Sequence, residues 1–534
     1  MRDHVIAVDV GTASVRAGIF DKTGTMLSRR VEPLRLRRPG ARRGEYVSDD
    51  IWQTTAMAVR SARLASGLGP ERIAGLAFGA TCSLVLLDRA GDPLPLFTDD
   101  SGSYDTIAWF DHRARDEAAE LSATGEAAVR HSGGSISPEM QVPKLLWLKR
   151  NRPELWQKAG DFFDLADFLS FRATGSRQRS LSTLATKWFH MAENADPWPR
   201  ALFDRFSLGD LPEKAGAGIP PCPPGKAIGK LTEAAAEAFG LDCNVTVAAG
   251  MVDAYAGALG ALPHPGMKAP GEFALIGGTS SCLIGYGPDP VFAGSVWGPY
   301  FSAIYPHQWP FEAGQSATGG LLNHLLEIHA EGGPATEARH EQVNARIASM
   351  IAADGPGFAD GLDILPDFHG SRSPFADPAM TGMVAGLTLD KSFDGLCRLY
   401  WRACIAIALS LRQILEHLAE NGIPATALHL AGGHRRNPLL SRLYADVTGR
   451  PVHVSPTEDV VLLGSAVNAA AASGLHAGLE QAATAMRTTG HTHNPDPALS
   501  DYYESQYVRL EILQACRDAL RSVDPAAQRG QRKT

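Results

Sequence analysis

The sequence predicts an α/β protein made of two similar lobes around a central cleft. Strand-like apolar runs alternate with helical patterns along the chain. The 534 residues are too many for one ordinary hydrophobic core. A pattern of strand, Gly-Thr turn and strand occurs twice, as AVDVGTASVRAGIF at residues 7–20 and as ALIGGTSSCLIGYG at residues 274–287. We interpret this echo as a duplicated fold, although so short a match can also arise by chance.

The individual elements follow from local patterns. Branched apolar runs predict strands at residues 5–8, 14–20, 73–78, 84–87, 246–249, 273–276 and 428–430. Apolar residues at three- and four-residue spacing predict helices at residues 50–66, 232–239, 396–419 and 438–448. A Gly- and Pro-rich segment at residues 259–273 predicts a boundary, which divides the chain into lobes 1–263 and 264–534. We expect a solvated loop at the basic run 35–44 and a loose tail at residues 525–534.

Composition narrows the class of protein. The formal charge of −8 argues against a general surface for nucleic acid or anionic membrane. The 7 cysteines include no Cys-x-x-Cys pair, so neither a disulfide framework nor a zinc cage is indicated. We find no signal peptide and no apolar run of membrane-spanning length, and we therefore expect a cytoplasmic enzyme.

The Gly-Thr turns indicate phosphate binding. Such a turn exposes backbone N–H groups and hydroxyls, and glycine lets a phosphate approach closely. Asp9 stands just before the first turn and could hold Mg²⁺, which prefers oxygen ligands. The alternative is that Gly11 makes a hairpin and Asp9 caps it. The chain has no G-x-x-x-x-G-K-[ST] loop and no G-x-G-x-x-G after a strand, so the two common nucleotide motifs are absent.

A third segment, AGGHRRN at residues 431–437, follows a predicted strand and precedes a predicted helix. Its paired glycines allow a flat ring to lie against the backbone, and Asn437 can hydrogen-bond a base or a ribose. The alternative is a glycine turn in which Asn437 caps the helix that starts at Pro438.

With these motifs in order, the chain resembles the FGGY carbohydrate kinases of the actin-like ATPase superfamily. The resemblance covers roughly residues 4–475. DVGTASVRAGIFD looks like the first phosphate loop, GGTSSC the second, and AGGHRRN the adenosine motif. Three further segments agree with the family: FEAGQSATGGLLN, the Pro-Lys-Leu-x-Trp segment at residues 139–156, and GMVDAYAGALG at residues 250–260.

The resemblance implies two RNase-H-like lobes, with the sugar on the N-terminal lobe and ATP mostly on the C-terminal lobe. It makes Asp253 the general base and Asp9 the carboxylate associated with Mg²⁺. Without the resemblance, Asp253 reads as an ordinary helix start. The positions that it assigns to ATP and its phosphates are Gly11, Thr12, Arg16, Gly278, Thr279, Gly319, Asn323, Gly433 and Asn437.

The substrate prediction rests on the loop of Thr81, Cys82 and Ser83, where the family contacts its sugar. Glycerol kinases have Arg-Glu and xylulokinases Met-His at the first two positions, and this chain has neither. The segment TCSLV resembles the D-ribulokinase branch. We expect Asp111 and Lys144 to bind hydroxyls as well. The alternatives are a solvated helix start for Asp111 and a small buried apolar role for Cys82.

The sequence therefore predicts an ATP- and Mg²⁺-dependent kinase that converts D-ribulose to D-ribulose 5-phosphate. Ribitol or another pentitol or pentulose is the second choice of substrate. A rival of a different class is an actin-like ATPase switch with no sugar substrate, and a sugar-binding relative without catalysis is a third reading. We expect a homodimer, with small molecules rather than nucleic acid or membrane as partners.

Overall fold

A computed structural model of the chain describes residues 2–40, 42–267, 269–488 and 490–523. The chain divides into two compact units. The first contains Met1–Pro270, Ile284–Glu312 and Pro456–Thr489, and the second contains Gly271–Leu283, Ala313–Ser455 and Gly490–Thr534. Two segments from the C-terminal half of the sequence therefore pack within the first unit.

The first unit is built on a seven-stranded sheet. Six strands lie side by side, and Met251–Val252 also pairs with Ile73–Ala80. In spatial order the six are Ala227–Lys230, Thr246–Ala248, Ile73–Ala80, His4–Val10, Ser14–Asp21 and Met26–Pro33. His4–Val10 is buried at all seven positions because it lies inside the sheet, antiparallel to one neighbour and parallel to the other.

A second sheet of five strands and a short hairpin complete the β structure of this unit. The five strands, in spatial order, are Ala159–Asp164, Leu84–Asp88, Thr106–Ile107, Arg43–Tyr46 and Arg37–Gly40, and the hairpin joins Phe97–Asp99 to Gly102–Tyr104. The expectation of a loop was wrong for residues 37–40 and 43–44, which lie in strands. Pro39 is tolerated there because Arg37–Gly40 is an edge strand, where a missing N–H leaves no ladder bond unmade.

The helices of the first unit cover its sheets. They are Ser48–Ser66, Arg115–Ser122, Ala127–Arg130, Gln141–Asn151, Pro153–Lys158, Leu165–Thr174, Leu181–Lys187, Arg200–Arg205, Leu211–Lys214, Glu233–Phe239, Asp253–Ala261, Val460–Ala472 and Leu479–Ala485, with a 3₁₀ turn at Pro70–Arg72. Ile6, Val8 and Phe78 of the sheet belong to the same buried cluster as Ile51 and Val59 of the first helix. Burial of this apolar face holds the helix on the sheet.

Two of these helices cross at unusually close range. A Cβ on Gly464 would lie 1.8 Å from the carbonyl oxygen of Ala256, and one on Gly260 would lie 2.2 Å from that of Val460. Only glycine fits at both positions. The crossing sets the spacing between the helices Asp253–Ala261 and Val460–Ala472 and therefore between the acidic residues at their N-termini.

The second unit is built on a six-stranded sheet. In spatial order its strands are Trp309–Gln315, Ser281–Gly287, Glu272–Gly277, Ala427–Gly432, Val452–Val454 and His491–His493, and a separate pair joins Asp363–Leu365 to Met383–Ala385. Its helices are Gly319–Ile328, Glu337–Asp354, Phe393–Glu420, Pro438–Thr448 and Ser500–Ser522, with 3₁₀ turns at Pro356–Ala359, Gly433–Arg436 and Pro497–Leu499. Among the helices of the described residues, none is long and apolar enough to cross a membrane.

The two main sheets share one strand order. In each sheet, three strands that are consecutive in sequence lie side by side in the spatial order third, second, first. On the other side of the first strand lies a strand from later in the sequence, which runs parallel to it. The fold class is thus confirmed as α/β with two sheet-containing lobes of RNase-H-like order. The predicted strands and helices are present, with ends that differ by a few residues. The predicted loose tail at 525–534 lies outside the described residues.

Candidate active site

Asp9 lies near the carboxyl end of the central strand His4–Val10, where the register places it opposite Arg16. Nη2 of Arg16 lies 2.7 Å from Oδ2 of Asp9. The carboxyl of Asp9 is buried, and neither oxygen accepts a well-aligned hydrogen bond from the described residues. Burial raises the pKa of Asp9 to about 8, although Arg16 acts in the opposite direction. The hydrogen-bonding capacity of this carboxyl is therefore unfilled.

Asp459 is a second buried acid beside Arg16. Its Oδ2 lies 3.0 Å from Nη1 of Arg16 and 3.3 Å from Nη2 of Arg29. Its Oδ1 accepts a hydrogen bond of 3.3 Å from the backbone N–H of Leu462, so Asp459 also caps the helix Val460–Ala472. Arg16 thus bridges Asp9 and Asp459. No motif in the sequence indicated Asp459.

Asp253 begins the helix Asp253–Ala261, directly after the short strand Met251–Val252. Its Oδ1 accepts a hydrogen bond of 2.7 Å from the backbone N–H of Ala254, and the residue keeps part of its surface exposed. Burial raises the pKa of Asp253, and the charge of Lys187 opposes that effect. The negative charge of Asp253 in turn acts on Asp9, which indicates that the two carboxyls are near neighbours.

A divalent cation fits beside Asp9. The unfilled carboxylate oxygens are the hard ligands that Mg²⁺ prefers, and Mg²⁺ commonly takes only one or two carboxylates from a protein. Across the described part of the chain, no group of three or more His, Cys, Asp or Glu residues could hold a metal by itself. A cation here would therefore complete its ligand set with water or with the phosphates of a substrate.

Lys187, Tyr300 and Glu312 form a polar wall that was not predicted from the sequence. Nζ of Lys187 lies 3.9 Å from Oε2 of Glu312 and 4.7 Å from the ring centroid of Trp297. Lys187 and Glu312 are 5% and 4% exposed. The hydroxyl of Tyr300 is buried, and none of the residues that the structure describes hydrogen-bonds to it. Burial raises the pKa of Tyr300, and the charges of Lys187 and Glu312 act on it.

The predicted substrate loop, residues 81–83, joins the strands Ile73–Ala80 and Leu84–Asp88. The N–H of Thr81 donates to the carbonyl of Val10 at 2.9 Å, which fixes the loop to the strand that carries Asp9. The hydroxyls of Thr81 and Ser83 are 3.2 Å apart. Cys82 is buried, which raises the pKa of its thiol, and the charges of Lys187 and Asp253 act on that thiol. The loop thus lies next to the polar wall.

Asp111 and Lys144 are fully buried and already hydrogen-bonded. The carboxylate of Asp111 accepts bonds from the backbone N–H of Gly44 and from the backbone and guanidinium of Arg113. Nζ of Lys144 donates to the carbonyls of Trp109 and Glu139, each at 3.0 Å. This geometry favours a supporting role, and the substrate contacts expected of both residues stay predictions.

The first Gly-Thr turn, residues 11–13, is held by hydrogen bonds at its edges. The N–H of Gly11 donates to the carbonyl of Ser14 at 3.0 Å, and the hydroxyl of Tyr46 donates to the carbonyl of Thr12 at 2.8 Å. Oγ1 of Thr12 accepts from Nε1 of Trp109 at 2.9 Å. The N–H groups of Thr12 and Ala13 donate to none of the described residues, so they are available to an anion.

The second Gly-Thr turn, in the second unit, is bound to a helix N-terminus. The N–H groups of Gly319 and Gly320 donate to the carbonyls of Gly278 and Thr279, each at 3.0 Å. A Cβ on Gly319 would lie 2.5 Å from the Gly278 carbonyl oxygen, so the close approach requires glycine. Three of the predicted nucleotide residues, Gly278, Thr279 and Gly319, therefore lie together.

His434 connects Gly433 to the same turn. Its Nε2 lies 3.1 Å from the carbonyl oxygen of Gly278, and its Nδ1 lies 2.9 Å from the hydroxyl of Tyr444. Because the carbonyl only accepts, Nε2 carries the proton. Burial lowers the pKa of His434 to about 4, so the ring is neutral near pH 7. A Cβ on Gly433 would lie 3.7 Å from the carbonyl oxygen of Gly277, an ordinary contact distance, and the residue is exposed beside the turn.

Asn437 caps the helix Pro438–Thr448, as its alternative interpretation predicted. Its Oδ1 accepts hydrogen bonds of 3.1 Å from the N–H groups of both Leu439 and Leu440. Asn323 lies on the helix Gly319–Ile328, and its Oδ1 is 3.0 Å from Nε2 of His340. The nucleotide contacts expected of Asn323 and Asn437 stay predictions, as do the roles of all the residues above.

The chain is similar to known proteins in both sequence and structure. The model of the N-terminal domain of the FGGY family of carbohydrate kinases matches residues 4–260, and that of the C-terminal domain matches residues 273–473. An FGGY carbohydrate kinase domain-containing protein of Homo sapiens is 38% identical over 533 residues, which is 96% of each chain. A D-ribulokinase of Saccharomyces cerevisiae is 34% identical over 517 residues, 88% of this chain and 72% of its own. The crystal structure of a xylulose kinase from Rhodospirillum rubrum aligns with a TM-score of 0.78 at 26% identity, over 97% of this chain and 99% of its own.

Proposed function

Because the chain belongs to the FGGY family of carbohydrate kinases, we propose that it transfers the terminal phosphoryl group of ATP to D-ribulose, giving D-ribulose 5-phosphate. That it is a carbohydrate kinase, a phosphotransferase with an alcohol group as acceptor, follows from the family. The pentulose class of the substrate agrees with the ribulokinases among its relatives. The identity of the sugar as D-ribulose is the proposal.

The observation that carries the proposal is the position of Asp253. Asp253 starts a helix beside the Asp9–Arg16 pair, and the residue is partly exposed whereas Asp9 is buried. A sugar hydroxyl is a poor nucleophile near pH 7, and a carboxylate within hydrogen-bond reach can take its proton during transfer. A pKa raised by burial makes Asp253 a stronger base than an exposed aspartate.

Asp9 and Arg16 support the phosphate end of the reaction. When bound beside Asp9, Mg²⁺ would neutralise charge on the phosphate oxygens. Arg16 keeps its guanidinium between Asp9 and Asp459, so its position is fixed from two sides. The unbonded N–H groups of the first turn are suited to hold phosphate oxygens, and the turn at Gly278 in the second unit offers the same chemistry.

Lys187, Glu312 and Tyr300 support the sugar end. A cation, a carboxylate and an unbonded phenol hydroxyl together can donate to and accept from the hydroxyls and the carbonyl of a ketose. The hydroxyl of Tyr300 is buried without a hydrogen-bond partner among the described residues, so a bond to a sugar hydroxyl would offset the cost of its burial. Thr81 and Cys82 have small side chains, which suit a loop that contacts a five-carbon sugar better than the larger residues of glycerol kinases or xylulokinases would.

The choice of D-ribulose rests on the relatives. The D-ribulokinase of Saccharomyces cerevisiae and a ribulokinase of Geobacillus thermodenitrificans, 30% identical over 546 residues, both support a ribulose substrate. Ribitol, or another pentitol or pentulose as in a xylulokinase, is the second candidate, since the polar wall does not by itself distinguish epimers. The division into lobes at residues 1–263 and 264–534 stays a prediction. So do a homodimeric assembly and a cytoplasmic location.

An actin-like ATPase switch is the rival of a different class. A switch needs phosphate turns and a cation site, but it has no use for a buried set of polar groups shaped for hydroxyls. The wall of Lys187, Tyr300 and Glu312 beside Asp253 therefore favours the kinase.

A coupled assay of ADP release tests the proposal. Purified protein with ATP and Mg²⁺ is given D-ribulose, L-ribulose, D-xylulose, ribitol or glycerol at matched concentrations, and a reaction without sugar gives the background. We expect D-ribulose to raise ADP release by about 10²-fold or more and to have the highest kcat/KM. Equal ADP release with and without every sugar would contradict kinase activity, while a higher kcat/KM for another sugar would overturn only the choice of D-ribulose.

A further inference from the structure

Three polar side chains form a continuous hydrogen-bonded chain in the second unit. Oδ1 of Asn323 lies 3.0 Å from Nε2 of His340, and Nδ1 of the same histidine lies 2.8 Å from the hydroxyl of Tyr400. The three residues lie on three different helices, so the chain links the predicted nucleotide residue Asn323 to two residues that no motif indicated.

The direction of every bond in this chain is determined. Oδ1 of Asn323 can only accept, so Nε2 of His340 carries the proton. The other ring nitrogen, Nδ1, then accepts from the hydroxyl of Tyr400. Each group uses the only role that its neighbours leave to it.

The histidine suits this bridging role because it is neutral. Burial lowers the pKa of His340, and no charged group contributes to that shift. A neutral imidazole is a donor at one nitrogen and an acceptor at the other, which is what the chain requires at this point.

We infer that His340 and Tyr400 are positioning residues that orient the amide of Asn323 so that its nitrogen, rather than its oxygen, faces the nucleotide. This inference rests on the proposed function, because it assumes an adenine nucleotide in the second unit. The oxygen of Asn323 is held by His340, and its amide nitrogen donates to none of the described residues. Asn323 therefore presents a donor to an acceptor atom.

The location of Asn323 indicates which part of the nucleotide it meets. Gly319, which binds the phosphate turn, begins the helix Gly319–Ile328, and Asn323 follows four residues later on the same face. Four residues of α-helix rise about 6 Å along its axis. A phosphate at the turn would place the nucleoside at this distance, where ribose oxygens and purine ring nitrogens are acceptors.

Direct nucleotide binding tests the inference without reference to the sugar. Titration calorimetry with ADP and Mg²⁺ is carried out on the wild-type chain and on three variants, His340→Phe, His340→Gln and Tyr400→Phe. Phenylalanine at 340 removes both bonds, whereas glutamine keeps a donor for Asn323 and an acceptor for Tyr400. Tyr507→Phe is the matched control, because it removes a tyrosine hydroxyl bond to Glu416 of the same long helix Phe393–Glu420 but outside the chain.

We expect His340→Phe to weaken ADP binding by about 10-fold and Tyr400→Phe by about 3- to 10-fold, as for the loss of one or two oriented hydrogen bonds. His340→Gln should stay within about 3-fold of the wild type, and Tyr507→Phe within about 2-fold. In kinase assays KM for ATP should rise with kcat and KM for sugar unchanged. Asn323→Ala combined with His340→Phe should cost no more than Asn323→Ala alone, because His340 acts through Asn323.

The outcomes distinguish a failure of the proposed function from a failure of this inference alone. If the wild-type chain binds no adenine nucleotide, the proposed function fails and this inference with it. If the wild type binds ADP while folded His340→Phe binds it equally well, only the inference is overturned. Should His340→Phe not fold, Tyr400→Phe decides by the same criterion, and additive losses in the double variant would also contradict a positioning role.

Discussion

Asp253→Asn is the most direct test of the chemistry. The substitution removes the proton acceptor but keeps the shape, and the amide oxygen can still accept the bond from the N–H of Ala254 that starts the helix. A positioned base contributes about 10²- to 10⁴-fold to catalysis. At about 1.36 kcal/mol for each factor of ten, the barrier should rise by about 2.7–5.4 kcal/mol. We expect kcat to fall by this factor while KM for the sugar changes little.

The structure also predicts how Asp253→Asn affects thermal stability. Burial raises the pKa of Asp253, and the charge of Glu312 acts in the same direction, so the ionised form is disfavoured in the folded protein. A neutral asparagine avoids this cost, and the thermal midpoint at pH 8 should be equal to or higher than that of the wild type. The loss of rate therefore cannot be ascribed to unfolding.

Steady-state kinetics with saturating ATP, together with a thermal melt, measure both quantities. Asp105→Asn is the matched control, because Asp105 is also a buried aspartate with a raised pKa that bonds the start of a helix, at Ser48. We expect its kcat to stay within about twofold of the wild type. Turnover of Asp253→Asn at the wild-type rate would refute the assignment of the base.

Other substitutions probe the remaining parts of the site. Asp9→Asn should abolish turnover. Because the pKa of Asp9 is raised to about 8 in the folded state, the folded protein keeps a proton that the unfolded chain releases above pH 4, and the stability of the wild type should fall as pH rises from about 4 to 8. Thermal melts of the variant should lack this pH dependence. Thr81→Arg should block pentulose binding and spare ADP binding in calorimetry, and unchanged sugar affinity would remove Thr81 from the pocket. Lys187→Met should raise KM for the sugar by about 10-fold or more with ADP affinity unchanged, as for a lost charged hydrogen bond; an unaltered KM would argue against the polar wall. Gly319→Ala places a Cβ 2.5 Å from the carbonyl oxygen of Gly278 and should weaken ADP binding by about 10-fold. Equal affinity would show that the turn can shift to accommodate the methyl group.

The turns could be predicted from sequence because their chemistry is local. A glycine that permits close approach and a strand that ends in an acid are visible within a few residues, as at Asp9 and Gly278. The duplicated strand order also followed from the repeated turn. In contrast, Lys187 and Asp459 lie in segments without a recognised motif. Glu312 lies in the segment FEAGQSATGGLLN, but its ion pair with Lys187 depends on a contact with a distant part of the chain.

Register and packing explain the other gaps. Arg16 was expected among phosphate contacts, and the structure shows that it also pairs with Asp9 directly across the hairpin. The buried bonds of Asp111 and Lys144 depend on Arg113 and on backbone carbonyls that a one-dimensional pattern does not bring together. The packing of residues 284–312 and 456–489 with the first unit is likewise a property of the folded chain.

The glycine crossing of the helices Asp253–Ala261 and Val460–Ala472 has a consequence for any effort to redesign the enzyme. The absence of side chains at Gly260 and Gly464 sets the distance between the two helices and therefore the gap between Asp253, the proposed base, and Asp459, which pairs with Arg16. Sequence distance hides this dependence, since the two helices are about two hundred positions apart. Changes of substrate are therefore better sought in the loop at residues 81–83, where side chains can vary in size without disturbing that gap.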